Sequence, residues 1–156
     1  MLVKDNDNKL SFNTWSGTDY LKTAPYAQKS AGITIDSSDD YSFNGEHSFK
    51  ITCLESNPYN FVDLEKINNV IKGDLITLTA YVKTNTPCIL SIFEFESTAS
   101  GHSGVSNVNI PVSNEFMDFQ VSKNLIYNNV QYIAVRLVLT NNTGTTYVDN
   151  IKISKR

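Results

Sequence analysis

Asp149 is the residue of this chain whose setting most needs a chemical explanation. In Tyr147-Val148-Asp149-Asn150-Ile151-Lys152-Ile153 the period-two alternation of a strand puts Tyr147, Asp149, Ile151 and Ile153 on one face. A carboxylate thus joins an apolar row, where an unpaired charge is costly. Three arrangements compensate it: exposure to water at the strand mouth, backbone N–H groups from a neighbouring loop, or a bound cation. Other carboxylates come in pairs, Glu94 with Glu96 and Asp63 with Glu65. Splitting a glycosidic bond needs two acids that flank it, and i, i+2 neighbours on one strand leave no space between them. The histidines, His47 and His102, stand near no Ser or Cys in a nucleophile elbow. These patterns predict a chain that is not an enzyme.

Cys53 and Cys88 each lie among apolar neighbours in a predicted strand, the setting of buried free thiols. A disulfide between them stays open, while the lack of a Cys-x-x-Cys spacing or a Cys/His cluster removes zinc-finger and thioredoxin-type chemistry. Net charge is −3 and the 13 lysines and arginines are scattered, so the footprint of a nucleic-acid or anionic-membrane partner is missing. No apolar run approaches the roughly 18 residues of a membrane helix, and the opening Met1-Leu2-Val3-Lys4-Asp5-Asn6-Asp7 has no signal-peptide h-region. The expectation is a soluble chain, either used without secretion or cut from a longer exported protein. With 156 residues, 40% of them hydrophobic, it is long enough for one domain with a full core, spanning 1–156.

The elements that must position these residues are strands almost throughout. Segments rich in Ile, Val, Thr, Tyr and Phe recur between clusters of Asn, Asp, Ser and Gly that favour turns. They predict strands at Lys9–Trp15, Gly32–Ile35, Ser48–Leu54, Phe61–Lys66, Leu75–Lys83, Ile89–Glu96, Val105–Pro111, Phe116–Val121, Tyr132–Leu139 and Tyr147–Ser154, with at most a helical turn at Ser56–Asn60 or Asn124–Asn129. Two strands alternate cleanly. Ile76, Leu78, Ala80 and Val82 form a dry face with Thr77, Thr79, Tyr81 and Lys83 opposite; Ile133, Val135, Leu137 and Leu139 form another, with Tyr132, Ala134, Arg136 and Val138 opposite. Short antiparallel strands with one buried face each pack most simply as two sheets, so the expected fold is an all-β, two-sheet antiparallel β-sandwich, most simply a jelly roll. Its expected core is Phe49, Ile51, Leu78, Ala80, Val135, Leu137, Ile151 and Ile153.

Three blocks carry a resemblance. Asn44-Gly45-Glu46-His47-Ser48-Phe49-Lys50-Ile51, Lys72-Gly73-Asp74-Leu75-Ile76-Thr77-Leu78-Thr79-Ala80-Tyr81-Val82-Lys83-Thr84 and Tyr147-Val148-Asp149-Asn150-Ile151-Lys152-Ile153 follow one another as in the jelly-roll carbohydrate-binding modules of the family 4, 9 and 22 type, and the chain resembles them over nearly its whole length. Such patterns also occur in other galactose-binding-like sandwiches, including adhesive and structural ones. The resemblance implies a non-catalytic module that tethers a larger protein or particle to a polysaccharide or cell-surface glycan, outside the cell or on a cell or virion surface. The alternative is an adhesin or phage-tail assembly domain making protein contacts.

The same resemblance implies a structural calcium, with Asp149 as a metal ligand. Relatives hold it with a glutamate beside a Phe ahead of a Trp, whereas Asn8-Lys9-Leu10-Ser11-Phe12-Asn13-Thr14-Trp15 has no acid there; Asp5, Asp7, Asp36, Asp39, Asp40 and Glu46 are the substitutes at hand. For glycan contact, aromatic faces pack on sugar C–H groups and planar polar side chains fix hydroxyls. Tyr81, Tyr132 and Arg136, all on outward rows, are the expected groove if their strands share a sheet. Trp15, with Tyr20, Tyr26 and Tyr59, is a loop-side alternative, and Trp15 equally suits a core or edge position. His102 is placed in a loop over Ser97–Gly104, and Glu94 or Glu96 is the expected partner of Arg136.

Overall fold

The structure, a computed structural model, describes residues 2–4, 10–12, 29–38, 40–41, 43, 48–96, 102–139 and 142–156. Among the described residues there are strands and no helix: β1 (Leu2–Lys4), β2 (Leu10–Phe12), β3 (Ile33–Ser38), β4 (Ser48–Cys53), β5 (Asn60–Ile67), β6 (Leu75–Thr84), β7 (Cys88–Glu96), β8 (His102–Ile110), β9 (Ser113–Asn124), β10 (Val130–Leu139) and β11 (Gly144–Lys155). Each expected strand is present, though of Lys9–Trp15 only Leu10–Phe12 lie among the described residues; β1 was not anticipated, and the helical turns proposed at Ser56–Asn60 and Asn124–Asn129 do not form.

The strands make two antiparallel sheets, one of seven strands and one of four in the order β5-β10-β7-β8. In the larger sheet β11 is the organiser. Its first half pairs with β4, which pairs with β3; its far end pairs with β2; its other edge runs along β6, which pairs with β9. The sheets meet through one continuous apolar layer. Phe49, Ile51, Leu78, Ala80, Val135, Leu137, Ile151 and Ile153 are all in it and at most 2% exposed, as the alternation requires.

Two local irregularities redirect the faces. The register of β11 against β6 shifts between Asp149 and Lys152, and Asn150 takes a left-handed φ of 53°, which is the signature of a bulge. An extra residue flips the parity of everything on one side of it. Ile151 and Ile153 therefore face the core as expected, while Val148, not Asp149, continues the core row on the other side. Tyr147 and Asp149 stand on the outer face, opposite Lys83 and Tyr81 of β6. The expectation that all four share one face is corrected by this bulge. A second shift, between Val135 and Arg136 of β10, sets Val135 across from Glu65 but Arg136 across from Asp63.

Candidate functional site

Tyr81 and Tyr132 do not come together. Tyr81 lies on β6 in the seven-stranded sheet and Tyr132 on β10 in the four-stranded sheet, so the core separates the two outward rows and the expected three-residue groove does not form. Tyr81 is half-buried and its ring stacks on Phe43, centroids 3.6 Å apart and nearly parallel. It holds a loop down and does not offer an open platform. Trp15, Tyr20 and Tyr26 lie outside the described residues.

Arg136 stands at the centre of a different and better-built arrangement, the outer face of the four-stranded sheet. That face is less wet than the alternation of β10 suggests. Ala134 and Val138 of β10 are buried with Phe93 of β7 in a small apolar cluster, packed against Phe61 of β5 and Ile89 and Phe95 of β7. Into this cluster Arg136 projects its guanidinium, 4.1 Å from the Phe61 ring centre and 4.6 Å from that of Phe93, an arrangement in which ring quadrupoles favour the cation. Its Nε and Nη2 donate to the two oxygens of Asp63 at 2.6 and 3.1 Å, and Nη1 donates to the Tyr59 hydroxyl at 3.0 Å. The bidentate fork fixes the plane of the guanidinium. Glu94 and Glu96 are not its partners: on β7 Arg136 lies across from Ser91, while Glu94 and Glu96 lie across from Ile133 and Val130, and on β5 the register shift presents Asp63.

Burial raises the Asp63 carboxyl above its ordinary value, outweighing the lowering by Arg136. Burial would lower Arg136, but its bonds to Asp63 and Tyr59 outweigh that and raise it. The pair is thus a desolvated, mutually neutralised unit set in aromatic walls.

A cleft of about 470 Å³ opens over this unit, lined by Tyr59, Ile89, Ser91, Phe93, Val105, Asn107, Arg136 and Val138. Ser91 donates to Asn107 Oδ1 at 2.6 Å across β7 and β8. Tyr59, at the turn into β5, is 47% exposed and supplies the open aromatic surface, while Tyr132 is engaged elsewhere on the same face, stacked on Phe95 at 4.6 Å with the Lys66 ammonium 4.2 Å over its ring. A second apolar hollow of about 480 Å³ continues from the cleft, sharing Ile89 and Val138. Arg136, chosen from its outward row, lies on this built face, and Tyr59, held only as a loop alternative, lies beside it. Sequence reasoning missed Asp63, Phe93 and Asn107 because their meeting depends on strand order and a bulge.

The remaining candidates have structural partners. Glu94 points inward, fully buried, where it pairs with Lys123 at 3.1 Å and accepts the Tyr127 N–H at 3.0 Å. The backbone at His102 opens β8, so the loop expected there ends earlier. Cys53 and Cys88 are free and buried, which closes the disulfide alternative; burial pushes the Cys88 thiol up to about 12. Asp149 is buried beneath the loop segment that contains Phe43: Oδ2 accepts the Phe43 N–H at 2.9 Å and Oδ1 that of Asn150 at 2.7 Å. Backbone donation from a loop, one of the three arrangements considered, is therefore present. Among the described residues no group of three His, Cys, Asp or Glu side chains converges. Asn150 Oδ1, next to this carboxylate in the chain, is buried with no hydrogen-bond partner. Asp5, Asp7, Asp39 and Glu46 fall outside the described residues.

No protein-family model and no curated protein sequence matches the chain. Solved structures do match it in fold. The tandem CBM22-1-CBM22-2 domain of Paenibacillus barcinonensis Xyn10C superposes with a TM-score of 0.72 over 93% of this chain and 44% of that one, at 16% identity. The CBM22-1 xylan-binding domain of the same protein gives 0.61 over 82% of this chain and 84% of that one, at 15% identity. The enzymatically active domain of tailspike protein 4 from bacteriophage CBA120 gives 0.64 at 15% identity, over 81% of this chain; the chain spans 18% of that protein's length. The fold is therefore the two-sheet sandwich of carbohydrate-binding modules.

Proposed function

We propose that this protein is a non-catalytic carbohydrate-binding domain whose site is the cleft on the outer face of the four-stranded sheet. The carrying observation is the Arg136 guanidinium, locked by Asp63 and Tyr59 between aromatic walls at the floor of an open cleft. Aromatic and planar polar groups held rigidly on strands are what recognition of a sugar ring and its hydroxyls requires. The fold neighbours support the reading, most of them being carbohydrate-binding modules and one a xylan-binding domain. Against hydrolysis, Glu94 is tied to Lys123 and Asp63 to Arg136, so neither acid is available to protonate a leaving group.

On this reading the ligand is a polysaccharide or cell-surface glycan, and the domain tethers a larger extracellular, cell-surface or virion protein to it. Affinity per site is weak, roughly millimolar to micromolar, because hydroxyl contacts replace contacts to water. Asp149 and the unpartnered Asn150 Oδ1 would supply oxygens to a structural calcium that secures the adjoining loop.

The test is retention on insoluble polysaccharides and binding to a glycan array. Arg136→Ala should lower retention at least about tenfold, the loss of one charge-assisted anchor. Tyr59→Phe, which keeps the ring and loses the bond to Arg136, should give a smaller loss, and Tyr81→Ala should bind as the parent does. If Arg136→Ala retains full binding while remaining folded, the cleft is not the site.

A further inference from the structure

The outer face of the seven-stranded sheet carries a second constellation, on the opposite side of the molecule from the cleft. Tyr147 of β11 lies directly across from Lys50 of β4 on one side and Lys83 of β6 on the other. Its ring is the floor, only 7% exposed, and Tyr41 meets it edge-on at 5.0 Å. The Lys83 ammonium sits 3.9 Å over the Tyr41 ring and 5.5 Å over that of Tyr147. Among the described residues no carboxylate lies within ion-pair distance of it. Lys50, 5.9 Å over Tyr147, is paired with Asp40 at 3.2 Å, and Asp36 faces it in register from β3. Among the described residues one ammonium is therefore compensated and one is not, in a protein whose net charge is −3.

These side chains line a polar hollow of about 260 Å³ together with Asn85, Ser113, Asn114 and Thr145. Pockets for drug-sized ligands run from about 300 Å³ upward, so this one suits a single small ring. Asn85 turns its oxygen to the Thr145 N–H at 2.8 Å, which leaves its NH2 end to donate. The hollow thus offers one uncompensated ammonium, amide donors and aromatic edges. A bare inorganic anion would use the charge and the amide donors but leave the rings idle; a sugar ring bearing one carboxylate uses all three.

We propose that this hollow is a second saccharide site that takes a hexuronate unit, its carboxylate on Lys83 and its hydroxyls on Asn85 and Asn114. The site is independent of the Arg136 cleft, so the two can stand or fall separately.

The experiment is an NMR titration of the whole chain with digalacturonate and with its carboxyl-reduced, neutral counterpart, on the parent and on Lys83→Gln, the Lys50→Gln/Lys83→Gln double variant and Arg136→Ala. The expected result is saturable binding of the acid by the parent, with amide shifts at Lys83, Asn85 and Tyr147. The neutral disaccharide and Lys83→Gln should each bind about tenfold more weakly or worse. Arg136→Ala should bind the acid like the parent, and that result alongside a failure of neutral polysaccharide retention in every protein would sustain this site while removing the cleft's function. Lys83 is half-buried at the surface and Gln keeps most of its stem, so a matching melting temperature controls for folding. Equal binding of acid and neutral sugars, undiminished binding by the double variant, loss of acid binding in an Arg136→Ala protein whose spectrum shows it folded, or no binding by the parent would each overturn the proposal.

Discussion

Asp63 links the chemistry of the cleft to pH. Its carboxyl is raised from 3.8 because burial outweighs the pull of Arg136, so the folded protein binds this proton more tightly than the unfolded chain does. The contribution of Asp63 to stability is consequently a penalty that is present above its folded pKa and relieved as pH falls through it. Acid should not melt the protein on this group's account. It should weaken binding, because protonation removes an acceptor that orients Arg136. Between about pH 7 and about pH 4, glycan retention is expected to decline while the difference in melting temperature between parent and Asp63→Asn does not grow. The Asn variant should bind less at neutral pH and show a flatter profile. Retention by the parent that holds constant to below the ordinary carboxylate range would contradict this role. None of it was legible in the residues alone: Arg136 was visible on an outward row, but its partner was set by the register shift beside Val135.

At the scale of elements, β11 shows how a turn determines a strand. Gly144 opens it with φ 151°, a backbone conformation that L side chains rarely adopt, and a Cβ there would lie 2.8 Å from Thr86 Cβ and closer still to Asn85 Oδ1. That oxygen also receives the Thr145 N–H, so the clash falls on the contact that starts the β11 pairing. Gly144→Ala is expected to cost about 1–3 kcal/mol in urea unfolding. Gly73→Ala, also at positive φ (94°) but with nothing within 4 Å of the added carbon, carries strain without a clash and should cost less. Equal losses would show that the neighbours of Gly144 yield freely. Gly73 was readable as a turn residue from its place before an alternating strand. The alternation of β6 and β10 was equally readable, since period two is a property of any extended backbone. The bulge at Asn150 was not, because an inserted residue leaves the apolar count of the strand nearly unchanged while reversing its faces.

For the molecule as a whole, the tie between β11 and the loop segment at Phe43 is where a calcium ion would register. A ligand that binds only the folded state raises the melting temperature by mass action. Calcium should therefore raise it and a chelator lower it, with Asp149→Asn insensitive to both; identical melting curves in calcium and in chelator would show that this carboxylate serves contacts within the protein, among them the Phe43 and Asn150 N–H groups, and no cation.

What the sequence determined by itself was the class of object: strands with one apolar face each, hence two sheets over a common core, and outward rows of polar and aromatic residues. Those conclusions follow from local periodicity, which no tertiary contact needs to supply. Tertiary structure alone decided which outward rows share a sheet. It parted Tyr81 from Tyr132, gathered Tyr59, Asp63, Phe93 and Arg136 from β5, β7, β10 and the turn before β5, and set Lys50, Tyr147 and Lys83 side by side. Strand order and register are fixed by long-range pairing across many residues of chain, and a single bulge changes them without changing the apolar pattern from which a sequence is read.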